Sequence, residues 1–200
     1  VGVTSPFSFG QFTVYEGRTS YTLVSASISN YFEELRTDVE GAYYGFYFMD
    51  LANYYAREAS DETLLLKLLY QTFRALVNTR IPNQLIRYIY ELKVISINGE
   101  GPQVFECIGC GDREQEKVFS IRRGGLLCRQ CAAHVTDGRK LSASTLYAMQ
   151  YIIASPVEKL YTFLVKEDVL KELGDVVTAY MAEYLGKSFK SLEILETLIM

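Results

Sequence analysis

The chain has 200 residues, 49% of them hydrophobic, which is enough to fill a core in one domain or two small ones. No apolar run reaches the ~18 residues of a membrane-spanning helix and no secretory signal is visible, so a cytoplasmic protein is expected. The formal net charge of −4 excludes a surface that is basic throughout, and any binding to phosphate therefore needs a local basic patch.

The first 28 residues predict β-strands. Aromatic and β-branched side chains lie on both sides of a turn at Gly17, a pattern typical of a β-hairpin. An isolated two-stranded hairpin is only marginally stable in water, so these strands are expected to belong to a larger sheet. Because the chain starts at Val1 rather than Met, the rest of that sheet is expected in sequence that precedes it.

From about Ser29 the apolar residues take helical spacing, and Ser29 or Asn30 is expected to cap the first helix. Pro82 and Gly186 are expected to mark a helix start and a helix end. The predicted helical segments are approximately 31–39, 43–56, 60–80, 83–97, 141–155, 167–186 and 188–199.

All four cysteines fall in one C-x2-C-x17-C-x2-C pattern, formed by Cys107, Cys110, Cys128 and Cys131. Two residues between cysteines allow one tight turn to point both thiolates at a single ion, and two such turns complete the S4 shell that Zn²⁺ prefers in structural sites. Such a shell leaves no open position for water or substrate, so the metal is expected to stabilise the fold rather than to catalyse a reaction.

Two alternatives to this zinc knuckle use the same cysteines. Two disulfides are disfavoured in a reducing cytoplasm, and a redox C-x-x-C would not be expected as a pair. His134, the only histidine, follows Cys131 by three residues and would allow a Cys3His shell, although a surface position is favoured because four cysteines suffice. Residues 118–127, between the cysteine pairs, predict a small hairpin.

Several stretches resemble the RecO family of bacterial recombination mediators. The most specific is the helix 83–97 leading into FECIGCG at 105–111, followed by GGLLCRQC at 124–131. Weaker likeness is found at PFSFGQFTVYEG (6–17), SISNYFEEL (27–35), residues 141–142 and YLGKSFKSL (184–192). The resemblance spans nearly the whole chain.

The resemblance implies a mainly α protein: a helical bundle with an inserted four-cysteine zinc knuckle, preceded by the last strands of an OB-fold β-barrel. Residues 1–28 would be those strands, and residues 29–200 the helical domain, with the knuckle at about 105–135. The family's basic loop, which lies just before this hairpin, has no counterpart in these 200 residues.

The implied function is non-enzymatic. A family member would bind single- and double-stranded DNA, anneal complementary strands and work with RecR and single-stranded-DNA-binding protein to load RecA. It would act in the bacterial cytoplasm at the nucleoid. The alternative is a zinc-stapled interaction or transcription-regulator module without annealing activity. A deaminase-like metalloenzyme is disfavoured because no H-x-E or C-x-E motif precedes the cysteines.

Two sets of side chains are candidates for binding. Exposed cations and an aromatic ring are expected to contact DNA. These are Arg122, Arg123, Arg129, Lys140, Tyr15 and Arg18. Cations beside an apolar groove are candidates to receive the acidic, aromatic-ended tail of single-stranded-DNA-binding protein, and the favoured alternative is ordinary solvated helix surface. These are Arg80, Arg87, Lys93, Lys187 and Lys190.

Overall fold

The computed structural model describes residue 2 and residues 5–114 and 116–199. Within these residues the chain forms seven α-helices, one short 3-10 helix and two separate two-stranded sheets. The prediction of a mainly helical protein is therefore confirmed. Among the described residues, no helix combines the length and apolar character needed to cross a membrane.

The N-terminal sheet is the predicted hairpin, with β1 at Phe9–Glu16 and β2 at Tyr21–Asn30. The strands pair antiparallel from Phe9↔Asn30 to Glu16↔Tyr21, and the N–H of Gly17 closes the turn onto the carbonyl of Ser20 at 2.9 Å. Most side chains on these strands are exposed. The part of the chain that the structure describes forms no closed barrel around this hairpin.

The predicted cap of the first helix is wrong. Ser29 still belongs to β2, and its hydroxyl donates to the carbonyl of Phe9 at 3.0 Å. The side-chain oxygen of Asn30 accepts from the N–H of Phe32 at 2.8 Å, and Phe32 has a left-handed backbone with φ of 44°. Asn30 thus stabilises a turn, which is its common alternative to capping, and α1 begins later, at Glu33–Thr37.

The remaining helices occur where their periodicity predicts them. Pro82 directly precedes a helix, the Ser142 hydroxyl caps another by accepting from the N–H of Thr145, and Gly186 (φ 56°) ends a third. Their bounds are α2 Val39–Tyr55, α3 Thr63–Val77, α4 Asn83–Ile97, α5 Ala143–Ala154, α6 Glu167–Leu185 and α7 Lys190–Ile199.

The core is built around α4, which packs against α2, α3, α5 and α6. Its apolar residues are almost fully buried: Leu85, Ile86, Ile89, Leu92, Val94 and Ile95. Because neighbours surround the helix, its ionisable residues Arg87, Glu91 and Lys93 are buried as well. Such groups require partners inside the protein, since burying an unpaired charge is very costly.

The second hairpin lies between α4 and α5, with β3 at Lys117–Ser120 and β4 at Gly125–Cys128. It confirms the hairpin predicted between the cysteine pairs. Phe119 of β3 is fully buried in the main core, with its ring centroid 6.4 Å from that of Tyr180 on α6. The Tyr184 hydroxyl, also on α6, donates to the carbonyl of Ile121 at 3.1 Å, so α6 supports the hairpin along its length.

Candidate functional site

The first cysteine pair lies in a tight turn before β3. The N–H of Gly111 donates to the carbonyl of Cys107 at 2.8 Å, and Gly111 has a φ of 74°, which favours glycine. A Cβ at Gly109 would lie 2.8 Å from the sulfur of Cys131, so glycine is needed there for close approach. Both glycines therefore serve to bring the two cysteine pairs together.

The second pair begins at the end of β4. Cys128 is the last residue of the strand, and its carbonyl accepts from the N–H of Ala132 at 2.9 Å, which turns the chain and brings Cys131 back. The N–H of Ile108 donates to the carbonyl of Leu126 at 2.9 Å and joins the first turn to β4. The small hairpin thus positions both cysteine pairs.

The four sulfur atoms form a group that can hold a metal ion. All lie within 4.8 Å of one another, and the sulfurs of Cys110 and Cys128 are 3.7 Å apart. Zn–S bonds of about 2.3 Å in a tetrahedron place sulfurs roughly 3.8 Å apart, so the donor set fits this ion. No disulfide joins the four cysteines. Exposed His134 is outside the group.

The thiols differ in their acidity. Burial raises the pKa of Cys107, but hydrogen bonds from the backbone N–H groups of Cys128 and Gly109 outweigh this and lower it to about 6. Hydrogen bonding to the thiol of Cys128, together with the other thiols, raises the pKa of Cys131 to about 12. One thiolate is therefore favoured while further ones are opposed, so a cation is needed to hold the whole set ionised.

The turn between β3 and β4 is well ordered by hydrogen bonds, and it exposes Arg122 and Arg123. Asp137 accepts from the hydroxyl of Ser120 at 2.7 Å and from the N–H of Arg122 at 3.0 Å. Burial acts to raise the pKa of Asp137, but these two bonds prevail and lower it. The sequence pattern does not reveal this role of Asp137, because its hydrogen-bond partners lie 17 and 15 residues earlier in the chain.

The candidate DNA residues do not form one patch. Arg129 and Lys140 are at the other end of the hairpin from Arg122 and Arg123, and the four residues of β4, roughly 13 Å of strand, lie between the two arginines and Arg129. Arg129 and Lys140 line a hollow of about 490 Å³ with Lys117. Two of the three cations there have carboxylate partners: Lys140 pairs with Glu116, and Lys117 with Asp112. Tyr15 and Arg18 are exposed on the separate β1–β2 hairpin.

The candidate partner residues are divided too. Arg87 and Lys187 line a groove of about 460 Å³, whereas Arg80, Lys93 and Lys190 do not. Met181, Leu185, Phe189 and Leu192 are among the apolar residues that line it. The ammonium group of Lys187 lies 5.3 Å from the ring centroid of Phe189 and 5.6 Å from that of Tyr54. This groove, between α4, α6 and α7, is hereafter called the α7 groove.

Lys93 is not beside an open groove, contrary to prediction. Its side chain is buried, and its ammonium group donates to the carbonyls of Ile153 and Ser155 at 2.8 and 2.7 Å. These carbonyls are at the C-terminal end of α5, where a cation is favourable. Burial lowers the pKa of Lys93. The helical spacing could not reveal this role, because α5 is far from α4 in sequence.

Arg87 is buried within a network of polar side chains and not on open helix surface. Its Nε donates to Glu91 at 2.8 Å, and the hydroxyl of Tyr47 donates to the same carboxylate oxygen at 2.7 Å. The outer nitrogen Nη2 pairs with Glu196 of α7 at 3.2 Å. Burial raises the pKa of Glu91, while Arg87 and Tyr47 act against that rise.

Comparison with known proteins identifies the family. Residues 36–193 match the family model described as "Recombination protein O C terminal". The chain is 32% identical over 200 residues to the DNA repair protein RecO of Acetivibrio thermocellus, covering 99% of this chain and 79% of that protein. RecO of Alkaliphilus metalliredigens is 28% identical (94% and 78% covered), and that of Thermoanaerobacter sp. 27% (99% and 80%). The chain therefore belongs to the RecO family of DNA repair proteins.

Proposed function

We propose that the chain acts in DNA repair as a non-enzymatic recombination mediator in the bacterial cytoplasm, at the nucleoid. It binds single- and double-stranded DNA, anneals complementary strands and, with RecR, helps to load RecA onto DNA coated by single-stranded-DNA-binding protein. The observation that carries the proposal is the family match over residues 36–193, which includes the whole cysteine cluster. Residues 1–28 contribute the last strands of an OB-fold, and residues 29–200 the helical domain.

Structural Zn²⁺ is proposed as the metal of the cysteine cluster. Cys107, Cys110, Cys128 and Cys131 would supply all four ligands, which leaves no position for a reacting water. The bound ion would hold the open end of the β3–β4 hairpin together, while Tyr184 of α6 holds the turn. The support for this proposal is the donor set and its sulfur spacing.

The β3–β4 turn is the first candidate for phosphate contact. The side chains of Arg122 and Arg123 are exposed, while the backbone beneath them is fixed by Asp137. Because the backbone that carries the two arginines is already fixed, less conformational entropy is lost when their side chains bind a phosphate backbone. Arg129 and Lys140 would extend the contact along the hairpin, and Tyr15 with Arg18 would offer a ring and a cation on β1–β2.

The α7 groove is the candidate seat for the tail of single-stranded-DNA-binding protein. A chain that ends in acidic and aromatic residues needs an apolar pocket beside cations. Met181, Leu185 and Phe189 supply apolar wall, and Arg87 and Lys187 supply positive charge. Arg80 and Lys190, both exposed, would act only at the rim of this contact.

Strand annealing tests the mediator proposal. Two complementary fluorescent oligonucleotides are mixed at low salt with the zinc-loaded chain, and the longer Acetivibrio relative serves as reference. We expect the chain to accelerate annealing. The double variant Arg122→Gln with Arg123→Gln should anneal more slowly, and the salt dependence of its DNA binding should correspond to up to about two fewer phosphate contacts. Lys67→Gln with Arg74→Gln, on the exposed side of α3, removes the same charge and should have a smaller effect.

Failure of annealing would favour the second candidate, a zinc-stapled interaction or transcription-regulator module. The observation in its favour is the α7 groove, whose apolar wall and flanking cations suit a peptide. A folded, zinc-loaded chain that neither accelerates annealing nor binds DNA at low salt would overturn the mediator proposal. Equal losses in the α3 control and the β3–β4 variant would show that overall charge, and not this turn, governs DNA binding.

A further inference from the structure

The last helix, α7, is attached to the bundle by few buried residues. Leu195 is fully buried and Phe189, just before the helix, is 5% exposed, but Ile194 and Leu198 are 39% and 51% exposed. By contrast, α6 buries eight residues along its length. Although α7 packs along α2, it buries few of its own side chains, and such a helix opens at lower free energy than the core does.

The carboxylate of Glu196, on α7, covers the outward end of Arg87. The inner partner of Arg87 is Glu91, whose side chain is 1% exposed, and this bond is part of the core. The outer partner is Glu196, whose side chain is 47% exposed and whose oxygen lies 3.2 Å from Nη2. An ion pair with one solvated partner contributes little to stability, so it can be exchanged at small cost. Glu196 is thus the replaceable carboxylate of the pair.

The same contact alters the charge of the α7 groove. Two cations line it, Arg87 and Lys187, but so do the carboxylates of Glu91, Glu193 and Glu196. With all five ionised, the groove has a net charge of about −1 and would repel an acidic chain. Moving Glu196 away exposes Nη2 of Arg87 and leaves two cations against two carboxylates, a net charge of about zero, so the groove no longer repels an acidic chain. Met181 and Leu185, which are on α6, keep their part of the apolar wall wherever Glu196 lies.

We propose that Glu196 is a built-in competitor for the carboxylate site of the α7 groove. An acidic peptide that enters the groove replaces Glu196 on Nη2 of Arg87, and α7 loosens as it does so. This inference rests on the proposed role of the groove as a seat for an acidic, aromatic-ended tail. Because both carboxylates compete for Nη2, closure of α7 weakens peptide binding by the same coupling free energy by which the bound peptide weakens closure of α7.

Peptide affinity tests the competition. The probe is a fluorescein-labelled peptide of four aspartates followed by leucine and phenylalanine with a free carboxylate, and binding is followed by fluorescence anisotropy at low salt. We expect Glu196→Gln to tighten binding by about two- to fivefold, the range of one surface ion pair. The matched control is Glu183→Gln, an exposed site on α6 outside the groove, which should leave affinity nearly unchanged.

The outcomes separate this inference from the proposal on which it rests. If Glu196→Gln and the wild type bind the peptide with equal affinity, the competition is overturned and the groove remains a peptide-binding site. No binding by any variant overturns both. An equal gain in Glu183→Gln shows a general charge effect and also overturns the competition. Hydrogen exchange supplies a second readout: the peptide should speed exchange in 190–199 of the wild type, and unchanged or slower exchange there contradicts displacement of α7.

Discussion

The two β-hairpins of this chain differ in what covers their strands. The β1–β2 hairpin is the longer, with strands of 8 and 10 residues, yet Tyr15 and Tyr21 are 68% and 61% exposed. The β3 and β4 strands have only four residues each, and every residue of β4 is buried. Strand length and β-propensity therefore say little about how firmly a hairpin is held; its contacts with the rest of the protein decide this.

The β3–β4 hairpin has three independent supports. Phe119 is buried in the main core, Tyr184 of α6 donates to the turn, and the cysteine cluster closes the open end of the strands. The β1–β2 hairpin contacts the bundle near its base, where the ring centroids of Phe9 and Tyr70 are 4.6 Å apart. We expect changes to the β3–β4 hairpin to destabilise the protein, and changes far along the β1–β2 hairpin to have little effect.

Metal removal should give the largest difference. Zinc binding contributes on the order of 10 kcal/mol in small zinc domains, and this free energy is coupled to folding. Chelation under reducing conditions should therefore abolish amide protection in 103–140 and leave 9–30 as before, measured by hydrogen exchange. Cys128→Ser should lose the metal, while His134→Ser should keep it, as measured by zinc content. Unchanged protection and unchanged thermal unfolding after verified zinc loss would refute a stabilising metal.

Truncating a matched pair of phenylalanines should give the next largest difference. Phe119→Ala removes a fully buried ring and should lower the free energy of unfolding by about 3–5 kcal/mol. Phe12→Ala removes a ring that is 44% exposed on β1 and should cost less than about 1 kcal/mol. Urea unfolding of both variants measures this. Similar losses at the two sites would show that β1–β2 is covered in solution as firmly as β3–β4.

Asp137→Asn should have an intermediate effect, confined to the β3–β4 turn. The amide keeps one oxygen but cannot accept from both Ser120 and Arg122, which should cost about 1–2 kcal/mol. Because the pKa of Asp137 is lowered in the folded protein, its contribution is complete above the ordinary carboxyl pKa near 4 and is lost only as pH falls through the lowered value. The difference from wild type should thus be constant between pH 6 and 8; a change in that range would implicate another group.

The features that the sequence predicts correctly depend on residues that are close along the chain. The two C-x2-C pairs are each local, and one short hairpin brings them together, so spacing alone indicates the cluster of Cys107, Cys110, Cys128 and Cys131. Helical periodicity likewise indicates α2 to α7. The identity of the bound ion and the contacts with DNA are not tested by these features and stay predictions.

The features that the sequence does not predict depend on distant neighbours. Periodicity shows that α4 has an apolar face, but it does not show that α5 and α7 also cover the opposite side. For that reason the burial of Arg87 and Lys93 and the pairing of Arg87 with Glu196 were not foreseen. At Asn30 two local preferences compete, turn and helix cap, and the turn prevails because β2 continues to that residue.

Val24→Thr should have the smallest effect. Val24 is 64% exposed on β2, and threonine keeps the β-branched shape that a strand favours, so the free energy of unfolding should change by less than about 0.5 kcal/mol at every protein concentration. Urea unfolding at two concentrations tenfold apart measures this. A larger loss that depends on concentration would mean that another copy covers this face, since adding a hydroxyl costs free energy only where water is excluded. A larger loss that does not depend on concentration would instead mean that other residues of the same chain cover this face of β2. The two hairpins would then differ only in how much of each is buried.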